Sequence, residues 1–200
     1  MNKVKYGLKN VHYAMVTETV ATDGSGAITS SYGDVKKLAG AVSLSLDSSA
    51  SKAVFRADNE DYFVSYGEGG YEGDLEVAKL NSGFLKDILS YKEDDDNILV
   101  ESSEAFKTVN YFALMFEFDG DEKATKHCLF KCSASRPSIA SQTTGEGGTI
   151  DPQTETVTIT AVPRPDADKY IHLQTQETTS TSVIEAWYTA VPTPTFTTSP

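Results

Sequence analysis

Only two cysteines, Cys128 and Cys132, occur in the chain. Four residues apart on one strand, they would share a face about 13 Å apart, too far for a disulfide. They make no Cys-x-x-Cys pair and no second pair completes a metal site, so both read as small buried hydrophobes. Histidine is nearly as scarce: His12, His127 and His172 are scattered, without a metal-ligand spacing such as His-Glu-x-x-His. No Gly-x-Ser-x-Gly elbow is present. His127 beside Cys128 would point to the opposite face of a strand, so the two do not share a proton. The expectation is no catalytic residue, no metal, no cofactor and no enzyme.

Long apolar runs are also missing. None approaches membrane-spanning length, and MNKVKYGLKNVHYAMV lacks the apolar core of a signal peptide. The sequence predicts a chain made and kept in the cytosol, with no membrane partner, unless it leaves inside an assembly. Basic charge is in short supply: 17 Lys and Arg against 29 Asp and Glu leave a net charge of -12. Phosphate contacts need clustered cations, so the charge argues against tight nucleic-acid binding. The acidic surplus reads first as a solubility charge; in a conduit for DNA it would also serve by not holding the cargo. Periodic helix is rare too.

What is there points to β structure. Thr, Ser, Gly, Val and Tyr are plentiful, and 39% hydrophobic with 10% aromatic residues indicates a folded chain. Two hundred residues suffice for a real core, and one domain over 1–200 is the reading. The organising stretch is Tyr71–Lys92. Tyr71, Gly73, Leu75 and Val77 alternate with Glu72, Asp74 and Glu76, a strand with one buried and one wet face. Asn81 and Ser82 then cap a helix, about 81–91, whose Phe84, Leu85, Ile88 and Leu89 form an apolar stripe.

In chain order, residues 1–17 read as a first strand or an extended arm, and 21–34 as a Gly/Ser/Thr loop. Val42, Leu44 and Leu46 alternate with Ser43 and Ser45 in a half-buried strand. Lys52–Arg56 and Tyr62–Tyr66 are two strands around a polar turn, Ala57 to Asp61. That hairpin, acidic and aromatic at once, reads as a loop tip or as an element touching a neighbouring subunit. Asp58, Asn59, Glu60, Asp61 and Tyr62 are the contact candidates. The run Glu93-Asp94-Asp95-Asp96-Asn97 lacks the EF-hand spacing and reads as a solvated turn, at most a weak cation site.

Phe112, Leu114, Phe116 and Phe118 share one face of the most apolar segment, with Tyr111, Ala113 and Met115 on the other. This predicts a central strand covered on both sides. The return strand, Lys126–Ala134, is expected to place Cys128, Phe130, Cys132 and Ala134 inward. A Ser/Thr/Gly tether (138–152) precedes a strand over Thr154–Ala161, and Lys169–Thr175 reads as the last strand. Ser182-Val183-Ile184-Glu185 has the capping-box pattern of a short helix, about 183–191, anchored by Trp187, and a Pro/Thr-rich tail covers 192–200. The expected core therefore includes Leu44, Leu75, Val77, Phe84, Leu85, Ile88, Leu89, Phe112, Leu114, Phe116, Phe130 and Trp187.

An ordered set of phrases carries a family resemblance. They are Gly7-Leu8-Lys9-Asn10-Val11, Lys37-Leu38-Ala39-Gly40-Ala41, Ala57-Asp58-Asn59, Gly70-Tyr71-Glu72-Gly73 with Leu75, Phe84-Leu85-Lys86-Asp87-Ile88-Leu89, Phe112-Ala113-Leu114 and Ser135-Arg136-Pro137-Ser138. Over roughly residues 1–190 the chain resembles the major tail protein, the tail tube subunit, of long-tailed non-contractile bacteriophages. The resemblance implies a mainly β, sandwich- or barrel-type tail tube fold with one flanking helix. It implies rings, usually hexameric, stacked into a tube through which DNA passes unbound.

Its implied partners are further copies of itself, the tape measure protein, and the tail tip, distal tail and tail terminator proteins. The implied location is the virion tail, assembled in the host cytoplasm. Glu72, Asp74 and Glu76 are the candidates for an acidic inner wall, with an outward, solvent-facing position the alternative that alternation allows equally. Loops 21–34 and 48–61 are the candidates for ring-to-ring contacts. A monomeric β-sandwich binding module and a ring-forming tube protein of a contractile or secretion system remain the alternatives.

Overall fold

A computed structural model describes residues 6–120, 124–143, 152–166 and 168–196. The chain is mainly β. Its strands are β1 (Leu8–Val20), β2 (Ile28–Tyr32), β3 (Lys36–Lys37), β4 (Ala41–Ser48), β5 (Lys52–Ala57), β6 (Glu60–Tyr66) and β7 (Tyr71–Val77). After helix α1 (Ser82–Asp87) come β8 (Lys92–Glu93), β9 (Leu99–Val100) and a 3-10 turn, Ser103–Lys107. Then follow β10 (Phe112–Phe118), β11 (Thr125–Ala134), β12 (Glu155–Ala161), β13 (His172–Gln174) and helix α2 (Thr181–Ala186).

One antiparallel sheet runs in the order β2-β1-β10-β11-β12-β7-β4, with β3 added to β1 and β13 to β11. It curls until β4 comes back against β1, so its concave side encloses the main core. β10 is buried on both faces, as the apolar run over 112–116 demands. Phe112, Leu114 and Phe116 face the main core, while Ala113 and Met115 face a second cluster under Trp187. All twelve expected core residues are buried or packed against these clusters.

Two irregularities reverse expected facings. Phe112 pairs with Cys132 but Leu114 pairs with Leu129, so β11 spends three residues where β10 spends two. That bulge inverts the alternation. Cys132 joins Leu129 in the main core, whereas Cys128 and Phe130 face the C-terminal segment. Phe130 and Cys132 therefore do not share a face. In β4 the register slips between Ala41 and Ser43, which turns Val42 out to solvent and leaves Leu44 and Leu46 inside.

The flanking helix is shorter than its apolar stripe. The Asn81 side chain accepts from the Phe84 N–H at 2.7 Å, the expected cap. Phe84 is buried edge-on to Tyr13 and Phe112. Tyr13 Oη donates to Asp87 at 3.0 Å, and Lys36 pairs with Asp87 at 2.7 Å. The helix stops there because Ser90 takes a positive φ of 57°, and Asn110 holds that turn through Ser90 Oγ at 2.7 Å. Ile88 and Leu89 stay buried as part of the turn. Six residues would not hold a helix alone, so packing stabilises this one.

Other boundaries also move. Leu8–Val20 is a full sheet strand, not an arm, because Leu8 to Met15 pair with β10. The expected 21–34 loop contains β2, paired with Val16–Val20, so only its first half is turn. The C-terminal helix begins after Ser180, whose side chain makes no cap bond, not with a capping box at Ser182. Trp187 does anchor it, at 3% exposure. Residues 138–143 and 192–196 carry no regular structure; the rest of the expected tether, 144–151, and of the tail, 197–200, lies outside the described residues.

Candidate assembly surface

β4 does not turn directly into β7. Between them the chain leaves the sheet as a separate hairpin, β5–β6, whose strands pair only with each other. Ala57 and Glu60 close a two-residue loop, and Asp58 and Asn59 both have positive φ, 55° and 65°. That is the loop chemistry of a type I′ hairpin turn, which matches the strands' twist. Arg56 braces the turn, with Nε 3.0 Å from Asp61 Oδ1 and Nη2 donating to the Asn59 carbonyl at 3.3 Å. All five contact candidates, Asp58, Asn59, Glu60, Asp61 and Tyr62, sit exposed at this tip.

The hairpin is wet where a strand is normally dry. Phe55 lies opposite Phe63 and Val54 opposite Val64, on alternate faces. Phe55 is 62% exposed, Phe63 60%, Tyr62 75% and Tyr66 69%. Neither face packs on the sheet. Its root is pinched: Gly67 N–H donates to the Ser51 carbonyl at 2.8 Å and Ser49 N–H to the Gly70 carbonyl at 3.0 Å. A Cβ on Gly69 would stand 2.3 Å from the Ala50 Cα, so the root requires glycine there.

A second surface lies on the convex side of β4, β7 and β12. The register sets Glu72 between Asp47 and Thr160, Asp74 between Ser45 and Thr158, and Glu76 between Ser43 and Thr156. Glu72, Asp74 and Glu76 thus share the face turned away from the core. Thr158 Oγ1 donates to Asp74 at 2.9 Å. Thr154 and Ser43 hydroxyls donate to Glu76 at 2.5 and 2.8 Å, and hold its carboxyl below the usual range. Asp47 joins this face as a fourth acid. Its place in the Ser43-Ser45-Asp47 alternation was the available signal.

A third feature had no signal short of the fold. β11 pairs with β13 through His127–Leu129 but with β12 through Cys132–Ala134, so the sheet forks along one edge. The fork opens a cleft of about 530 Å³, lined by Leu44, Leu46 and Tyr71 on one limb and by Phe116, Phe118, His127, Leu129, His172 and Gln174 on the other. Two histidines that look scattered in sequence meet here, with Nδ1 of His127 and Nε2 of His172 3.0 Å apart and the rings stacked. Phe116 stacks on the other side of His127 at 4.9 Å.

Asp94 Oδ1 accepts from Asp96 and Ile98 N–H groups, which makes the acidic run a closed turn between β8 and β9. Among the described residues no three His, Cys, Asp or Glu side chains gather as a metal site, and no helix is long and apolar enough to cross a membrane. No protein-family model matches the chain, and a search of curated proteins returned no match.

Proposed function

We propose that the chain is a self-assembling tube subunit of the major-tail-protein type, a structural virion protein whose stacked rings form a conduit for DNA. One observation carries this reading: a hairpin with Phe55 and Phe63 on one face and Val54 and Val64 on the other, all of them exposed and with no strand partner among the described residues beyond each other. A two-stranded hairpin is marginal in water, and aromatic residues exposed on both of its faces are a cost that a second molecule would relieve. Seating the hairpin on a different patch of the next copy, with each arm passed on and not exchanged, is a heterologous contact, which generates rings or open filaments. The free edges of β2 and β4 offer further pairing sites between copies.

The face bearing Glu72, Asp74, Glu76 and Asp47 suits the wall of such a conduit. Its carboxylates repel phosphate, and its threonine and serine hydroxyls keep it wetted. The partners this reading implies are further copies of the chain, the tape measure protein in the bore, and tip and terminator proteins at the ends.

The test is negative-stain electron microscopy with light scattering over a concentration and salt series. Salt screens the self-repulsion of a chain with net charge -12, so assembly is expected to grow with it. Uniform rings or tubes from the wild type, lost in Phe55→Ser/Phe63→Ser, are the expected result. A compact monomer in every condition, with tail-tip proteins added, would move the reading to a monomeric binding module. Neutralising Glu72, Asp74 and Glu76 together tests the wall. Unchanged tube assembly with unchanged DNA passage would remove that assignment.

A further inference from the structure

Resting on the self-assembly reading, we infer that the cleft at the fork of β11 is the seat for the Phe55–Phe63 face of a second copy's hairpin. The hairpin and the cleft are complementary in the property that matters on this protein. Copies carrying a net charge of -12 repel, so they meet most readily where charge is lowest. Among the described residues, the cleft lining has no Asp, Glu, Lys or Arg. It offers aromatic and aliphatic walls, Phe116, Phe118, Tyr71, Leu44 and Leu46, to a pair of phenylalanines that stand exposed on the arm. Rings meeting such walls edge-on or offset gain beyond the area they bury.

The hairpin does not serve its own cleft. Both spring from the same corner, with Leu44 and Leu46 in the strand that enters the hairpin root and Tyr71 at the start of the strand that leaves it. From that root the strands run out for six or seven residues, about 20 Å, and among the described strands they pair only with each other. An arm that leaves beside its own socket is placed to fill the socket of the next molecule. Where each arm is passed on to a further copy, repetition of that step propagates a ring or a filament; a reciprocal exchange of arms closes a symmetric dimer instead.

Gln174 marks the rim of the cleft and is exposed, and Phe63 is exposed on the arm. Copies carrying Phe63→Cys and differently tagged copies carrying Gln174→Cys are mixed under mild oxidation; the native Cys128 and Cys132 are buried and stay silent. The expected result is a disulfide between the two tags, in excess of either variant linked to itself. In a parallel series, Leu46→Glu, checked for folding by circular dichroism, raises the concentration needed for assembly about tenfold or more, as Phe63→Ser does.

If Phe63→Ser blocks assembly while Leu46→Glu leaves it unchanged and no mixed disulfide forms, the seat is elsewhere and the self-assembly reading stands. If the wild type forms nothing but monomer, both fall.

Discussion

Tyr188 donates a hydrogen bond to Glu117 across 3.2 Å, which ties the C-terminal segment to a carboxylate buried in the central strand β10. Glu117 also receives Lys126 at 3.0 Å and Asn10 at 3.2 Å, and Lys9 lies at 3.4 Å. His12 stacks on the Tyr188 ring at 4.3 Å. One buried charge network thus joins β1, β10, β11 and the residues after α2.

That network sets an acid limit on stability. Burial pushes His12 below the ordinary histidine value, so the unfolded chain takes up its proton first, and a penalty sets in as pH falls below about 6.5. Desolvation opposes ionisation of Glu117, but hydrogen bonds from Lys126 and Asn10 and the nearby Lys charges prevail and hold its carboxyl below the ordinary value. Its contribution is present above about 4.5 and is lost as pH falls through the lowered value. Urea midpoints measured against pH are expected to fall in two limbs. Glu117→Gln flattens the lower limb and His12→Phe the upper one; an unchanged profile in both variants sinks the assignment.

Trp187 is buried against Ala14, Ala113, Met115, Cys128 and Phe130. Trp187→Ala is expected to cost about 3–5 kcal/mol, read by chemical denaturation. The buried Nε1–H finds no partner among the described residues. Trp187→Phe therefore gives up packing but no hydrogen bond, and should cost clearly less than the alanine variant.

Cys128 and Cys132 face different cores, and burial pushes both thiols well above the usual range. In the native protein neither should react with a thiol reagent over minutes at neutral pH, and two equivalents should react on unfolding. Fast labelling of either in the native state would contradict the placement.

Gly69→Val drives side-chain atoms into the Ala50 backbone at the hairpin root. The main sheet should keep its thermal midpoint to within a few degrees, while limited proteolysis opens the 50–70 segment faster than in the wild type. Equal cleavage of both proteins would show that the root tolerates the side chain.

Much of this protein was legible in its residues. The alternation of Tyr71 to Val77, the two-faced apolar run of Phe112 to Phe118, and the Asn81 cap each depend on neighbours a few positions away, so period and capping chemistry determine them locally. The exposed tip from Asp58 to Tyr62 was readable for the same reason, since turn residues declare themselves.

Three features waited for the tertiary structure. The bulge that separates Phe130 from Cys132 depends on how β11 pairs with β10, and a one-residue slip reverses every facing after it. The meeting of His127 with His172 depends on β13 joining the edge of β11 forty-five residues away. The solitude of the hairpin is a fact about what does not pack on it, which alternation within β5 and β6 does not encode. Local chemistry chose the elements; long-range pairing chose which of their faces remain for a second molecule.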